Sequence, residues 1–390
     1  MKKDLVQAFY EVYGNDSKRE LDSFFAPGRV NLIGEHIDYN GGMVFPCSLD
    51  LGIYMLVRKR KDNTINLTSL NMSSQIYINA KEDIVFKKKD YWANYPKGVI
   101  KYFQNLGIDI GGMDILYYGN LPNSSGLSSS AALEVVTAYA LNELFNGKLT
   151  RLKIVELSQE VEREFLGVNC GIMDQFAVGF GKDNSAILLN CNTLEYKYAP
   201  LRLGDYKIVI CNTNKKRGLA ESKYNERRNE CDSALKDLQK RLDINYLCDL
   251  TPDQFEENKD VIQNPIHRKR AKHAVYENAR VIDTTKELND NNIKGFGQLM
   301  NESHKSLRDL YEVSCQELDV LVDEALKIDG TLGARMTGAG FGGCTVNIVK
   351  ESEIVRFKEV VSKEYEKRTD IKADIYIANV GEGVRKIEQL

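Results

Sequence analysis

A chain of 390 residues is longer than one core usually organises, so two domains are expected. Its composition, 43% hydrophobic and 28% charged, is that of a globular protein, and a formal net charge of −3 argues against a dedicated nucleic-acid binder. Four histidines and eight scattered cysteines without a C-x-x-C pair offer no zinc site and fit reduced thiols in a cytoplasm.

The first residues, MKKDLVQAFYEVYGN, carry two lysines but no apolar run, and Val6, Tyr10 and Tyr13 have the spacing of a short amphipathic helix. Neither a signal peptide nor a membrane span is expected. From Ser23 to Leu49, strand pieces at Ser23–Phe25 and Val30–Ile33 are interrupted by Pro27-Gly28 and Gly34, and Asn40-Gly41-Gly42 marks a turn. Arg29, Glu35, His36 and Asp38 fall between these breaks. Charges at strand ends usually face water, but here they alternate with apolar residues, which favours a polyol or charged-ligand site.

Residues 51–118 alternate in the β manner until Trp92, the single tryptophan, opens the helical pattern WANYPKGVIKYF. A lone tryptophan is ordinarily core. Next, Asn120 to Phe145 joins a glycine- and serine-bearing loop to a helix with Leu133, Val136, Ala140 and Leu144 on one face. Such loops are commonly simple N-caps. They are also anion sites, because first-turn N–H groups lack intrahelical partners and the helix dipole is positive there. No Walker sequence occurs in the chain.

A second helix from Leu152 to Gly167 carries Glu162 beside its apolar face, where it either points inward or edges the solvent. In GVNCGIMDQFAVGFGK, Asp174 lies among Ile172, Met173, Phe176 and Val178, and a buried carboxylate must be paired, capping or functional. Strands follow, then a helix from Leu219 to Leu242 striped with Tyr224, Arg228, Cys231, Leu235 and Leu238. Basic runs at 215–217 and 267–273 read as solvated faces, and two more helices are expected near Phe296–Tyr311 and Gln316–Ile328. In GARMTGAGFGGCTVNIVK, residues 338–343 satisfy G-x-G-x-x-G, yet they lead into a strand, the wrong context for a nicotinamide cofactor. Glycines so dense still let backbone approach a phosphate or sugar.

These segments together resemble the GHMP small-molecule kinases and, within them, the galactokinase family. GRVNLIGEHIDYN at 28–40 is similar to that family's sugar signature, GLSSSAALE at 126–134 to its phosphate loop, and TGAGFGGC at 337–344 to its third motif. CGIMDQF at 170–176 and SKYNERRNEC at 222–231 resemble galactokinases more narrowly. The resemblance spans nearly the whole chain; Ser124 and Ser125 stand where many relatives have further glycines.

The resemblance implies an α+β, two-lobed fold with a ribosomal S5 domain 2-like N-terminal lobe (1–200) that binds sugar and nucleotide, and a ferredoxin-like C-terminal lobe (201–390). It implies ATP-dependent phosphorylation of galactose at the anomeric hydroxyl. Asp174 would be the base and Arg29 would sit beside it and the γ-phosphate. Glu35, His36, Asp38, Gly171, Asp174 and Tyr224 would contact the sugar, while Trp92 and Gly126, Leu127, Ser128, Ser129, Ser130 and Ala131 would hold the nucleotide. Ser130 and Glu162 would ligate Mg²⁺. Opposite charges side by side favour the ionised pair, which leaves Asp174 two roles: taking the proton, or orienting the hydroxyl that loses it. Other acceptors, such as N-acetylgalactosamine, mevalonate or homoserine, stay open, as does a galactose sensor without turnover. The intact run Ser128 to Ala132 favours the enzyme, and a monomer without nucleic-acid or membrane partners is expected.

Overall fold

The computed structural model describes residues 2–16, 18–121, 126–168, 170–215 and 220–387. Helix α1 (Lys2–Tyr13) lays Leu5 and Phe9 on Phe25, Tyr54 and Leu116 of a sheet built from β1 (Asp22–Asn31), β3 (Pro46–Lys59), β4 (Thr64–Ser69), β5 (Ile76–Asn79) and β6 (Met113–Gly119). The short β2 (Met43–Val44) belongs elsewhere, and α2 (Asn94–Asn105) precedes β6. All pairings in the large sheet are antiparallel except β4 with β6.

Helix α3 (Ser129–Leu144) packs against α2, β1, α4 (Arg151–Glu160) and α5 (Met173–Phe180). Residues 131–138, with Ala140 and Leu141, are all buried, so this helix lacks the single apolar stripe of a surface helix and runs through the core. β7 (Ser185–Asn190) and β8 (Tyr196–Pro200) complete a small sheet with β2.

The second lobe starts at β9 (Tyr206–Asn212). It continues through α6 (Ala220–Leu238), α7 (Pro252–Asn258), α8 (Pro265–Asn289), α9 (Ile293–Ser306) and α10 (Gln316–Leu326), then β10 (Thr331–Thr337), β11 (Cys344–Lys350), α11 (Ile354–Thr369) and β12 (Asp374–Ala378). Its antiparallel sheet has the order β10-β11-β9-β12, with Leu321, Phe357, Val361 and Tyr365 of α10 and α11 in the core beneath it. The result is the expected α+β, two-lobed fold. We propose the lobe boundary between Pro200 and Tyr206, with one return: β13 (Arg385–Lys386) pairs with β1, Phe24 opposite Lys386.

Several local expectations change. β1 runs unbroken through Pro27-Gly28, because a register shift between Pro27 and Arg29 absorbs the break as a bulge. The second helix ends at Glu160 and continues as a π turn, Val161–Phe165, and a like turn, Leu307–Tyr311, follows α9. The basic run on α8 is not simply solvated: Arg270 is buried between Glu230 and Glu312, and His273 is buried as well. Ser124, Ser125, Lys216, Arg217 and Leu219 lie outside the described residues.

Candidate active site

The bulge in β1 brings strand and phosphate loop together. A Cβ on Gly28 would stand 2.9 Å from the Leu127 carbonyl, so only glycine allows this approach, and the Arg29 N–H donates to that same carbonyl at 3.2 Å. The buried Arg29 guanidinium then divides its donors. Nη1 donates to the Gly126 carbonyl at 2.6 Å, while Nε and Nη2 both donate to Asp174 Oδ1, at 2.9 and 2.7 Å. Asp174 is the second residue of α5, where the helix dipole favours a carboxylate. Its side chain remains 31% exposed, and among the described residues Oδ2 accepts no bond.

Gly126 (φ +76°) and Ser128 (φ +61°) both adopt left-handed backbone just before α3. The Ser128 side chain makes no capping bond, and its buried hydroxyl has no hydrogen-bond partner among the described residues. With the first-turn N–H groups of α3, it forms a donor-rich cradle awaiting an acceptor of charge. Leu127 and Ala131 are buried and serve the cradle through backbone. An aromatic cavity of about 520 Å³ opens beside Ser129 and Ser130, walled by Phe86, Tyr91, Trp92 and Tyr95. Trp92 is both wall and core: it is 7% exposed, and Nε1 donates to Ser74 Oγ at 3.0 Å.

Glu162 points inward from its π turn, and Gln175 Nε2 donates to its Oε2 at 2.8 Å. Burial raises the Glu162 pKa, with hydrogen bonding to Cys170 and Ser130 and the negative charge of Asp174 also acting on it. One turn into α3, Glu134 is fully buried, with Gln175 beside it but no well-aligned hydrogen bond to either carboxylate oxygen among the described residues, and burial, then Glu162, push its pKa well up. Crowded, dry carboxylates beside a serine hydroxyl fit a divalent cation. Among the described residues, no group of three or more acidic, His or Cys side chains is arranged to hold a metal by itself.

On the other side, a second cavity of about 520 Å³ is lined by Asp38, Tyr39, Gly171, Cys191, Tyr224 and Arg228, among others. Asp38 is driven up to about 6 by burial first, then by the charges of Glu35 and Asp174. Gly171 faces it so closely that a Cβ would meet Asp38 Oδ2 at 2.6 Å. His36 (φ +63°) donates from Nε2 to the Ala339 carbonyl at 3.2 Å, since a carbonyl only accepts, which leaves Nδ1 to accept the Tyr39 hydroxyl at 2.8 Å. That direction at Nδ1 holds for a neutral ring, which a pKa pulled down to about 4, chiefly by burial, provides. Tyr224 packs 5.4 Å from the His36 ring and 5.6 Å from Tyr39.

Asp174 raises the pKa of both Asp38 and Glu162, so one carboxylate is felt in both halves of the cleft. Glu134, Gln175, Tyr39, Phe86, Tyr91, Tyr95, Arg335 and Thr337 were not singled out from sequence. Glu134 had a local signal, a carboxylate inside an apolar helical run, and Tyr39, Gln175, Tyr91 and Tyr95 lie close in sequence to residues already named, whereas Arg335 and Thr337 come from a distant strand.

Known proteins resemble this chain in sequence and fold. The sequence matches the galactokinase galactose-binding signature over residues 7–59, the GHMP kinases N terminal domain over 94–182 and the GHMP kinases C terminal domain over 284–367. A galactokinase of Clostridium beijerinckii is 55% identical over 385 residues, covering 98% of each chain. The crystal structure of Lactococcus lactis galactokinase complexed with galactose superposes with a TM-score of 0.93 at 46% identity, covering 99% of each chain. The Methanococcus jannaschii mevalonate kinase, 22% identical with a TM-score of 0.68 over 94% of this chain and 100% of that one, shares the fold. By motif, fold and overall similarity, the chain belongs to the galactokinase family of GHMP kinases.

Proposed function

We propose that the cleft transfers the γ-phosphoryl group of ATP to the anomeric hydroxyl of galactose, releasing galactose 1-phosphate and ADP. The observation that carries this is the junction of Arg29, whose three donors span the Gly126 carbonyl and Asp174 Oδ1 and leave Oδ2 unbonded. Asp174 faces the reacting hydroxyl, taking its proton or orienting it, while Arg29 neutralises charge on the phosphoryl in flight. Glu35, His36, Asp38, Gly171 and Tyr224 surround the hexose. Residues 126–131 cradle the phosphates, and the cavity walled by Trp92 takes the base.

Ser130 and Glu162 would hold Mg²⁺, with the buried Glu134 on the neighbouring turn of α3. When bound, the ion supplies neutralisation of the phosphate oxygens. Phosphoryl transfer is mainly positioning and electrostatics, so these groups suffice. A monomer in the cytoplasm completes the proposal; the eight free cysteines support a reducing setting. Asp174→Asn is the test: ADP release with galactose should fall roughly a thousandfold, while galactose still raises the thermal midpoint. Near-normal turnover removes Asp174 from its role.

A further inference from the structure

Half of the Glu35 carboxylate is already spent within the protein. Oε1 accepts the Thr337 hydroxyl at 2.9 Å and the Gly338 N–H at 2.7 Å, and Arg335 Nη2 lies 3.2 Å away as an ion pair without hydrogen-bond alignment. Among the described residues Oε2 has no partner. Arg335 and Thr337 are two apart on β10 and so share a face, and both are fully buried. Arg335 is itself fixed by donating from Nη1 to the Asn31 carbonyl at 2.8 Å. The Thr337 proton has a second acceptor in that carbonyl at 3.2 Å, but the charged oxygen is nearer and stronger. From α8, His273 Nε2 donates to the Glu35 carbonyl at 3.1 Å, so backbone and side chain are both held from the second lobe.

We infer that Arg335 and Thr337 are positioning residues for sugar recognition: β10 clamps one oxygen of Glu35 so that the other is presented, in a fixed orientation, to one hydroxyl of the hexose. The inference rests on Glu35 as a sugar contact. An unclamped carboxylate would have to be ordered by the sugar, at a cost to affinity. Glu35, Arg335 and Thr337 are absent from the lining of the aromatic cavity, and only Gly338 nears the loop before α3, where a Cβ would stand 3.8 Å from the Gly126 carbonyl. The clamp therefore acts on galactose and leaves ATP alone.

The test compares Thr337→Val, which keeps the shape and removes the hydroxyl, with Thr337→Ser, which keeps the hydroxyl. Steady-state constants for galactose and ATP are measured for both, beside Glu35→Gln, with the monodeoxy galactoses as further acceptors. Thr337→Val should raise the galactose KM roughly tenfold or more, the effect of losing one hydrogen bond to a charged group, with the ATP KM unchanged and Thr337→Ser close to the parent. One deoxygenation that is costly in the parent should cost far less in Thr337→Val and in Glu35→Gln, the signature of a shared contact. If Thr337→Val folds poorly, Thr337→Ala carries the same comparison. An unchanged galactose KM, parallel rises for both substrates, or Thr337→Ser as impaired as Thr337→Val overturns the clamp. Should Glu35→Gln leave the galactose KM untouched, the sugar-site assignment fails; should it alone raise the KM, only the clamp fails.

Discussion

Asp38 is a half-buried carboxylate that feels the charges of Glu35 and Asp174, and its pKa of about 6 has consequences of opposite sign for stability and for binding. The folded protein holds that proton more tightly than the unfolded chain, whose value is 3.8. Its contribution to stability is therefore largest at low pH and is lost as pH rises toward 6. Galactose needs the opposite state, because only the ionised oxygens are pure acceptors. We expect kcat/KM for galactose to fall as pH drops below about 6, and the limb to disappear in Asp38→Asn; a limb unchanged in that variant contradicts the assignment. Gly171→Ala tests the same pocket by shape. The added methyl would meet Asp38 Oδ2 at 2.6 Å, so the galactose KM should rise about tenfold while the ATP KM stays put. Asp38 and Asp174 stood out in the sequence as carboxylates among apolar neighbours, but their proposed sugar roles, and that of Gly171, came from the family resemblance. Arg335 and Thr337 did not stand out, since nothing within their own strand shows that Glu35, some 300 positions earlier, is their partner.

At the scale of elements, α3 and the π turn after α4 do the positioning. α3 presents its first turn as part of the cradle proposed to take the phosphates and is locked by burial on nearly every face. The π turn, with its wider winding, is what points Glu162 into the cleft beside Gln175. Sequence periodicity identified both helices but continued the second through the turn, because one extra residue in a helical repeat leaves the apolar pattern nearly intact. It likewise split β1 at Pro27-Gly28, where the bulge instead lets the strand pass and brings Arg29 to the loop. Glu162→Gln should raise the Mg²⁺ concentration needed for half-maximal rate about tenfold. It should also weaken the Mg²⁺-dependent change in Trp92 fluorescence with ADP; an unchanged Mg²⁺ dependence would place the ion elsewhere.

The whole molecule works as two lobes joined through buried polar groups and a returning strand. β13 closes the edge of β1, and Arg335 and Thr337 reach from β10 to Asn31 and Glu35. Ligands that bind this joined state should stabilise it, each by about 2.7 kcal/mol at a hundred times its dissociation constant. The central claim is that Asp174 directs a phosphoryl group from ATP onto the anomeric oxygen of galactose. It is tested most directly by ³¹P NMR of the product made from MgATP and [1-¹³C]galactose, with the parent chain and with Asp174→Asn. The parent should give a phosphorus signal coupled to the labelled carbon, and the variant, still stabilised by galactose, should build that signal roughly a thousandfold more slowly. A phosphate ester at any other position, or a C1 ester formed by the variant at the parental rate, contradicts the account.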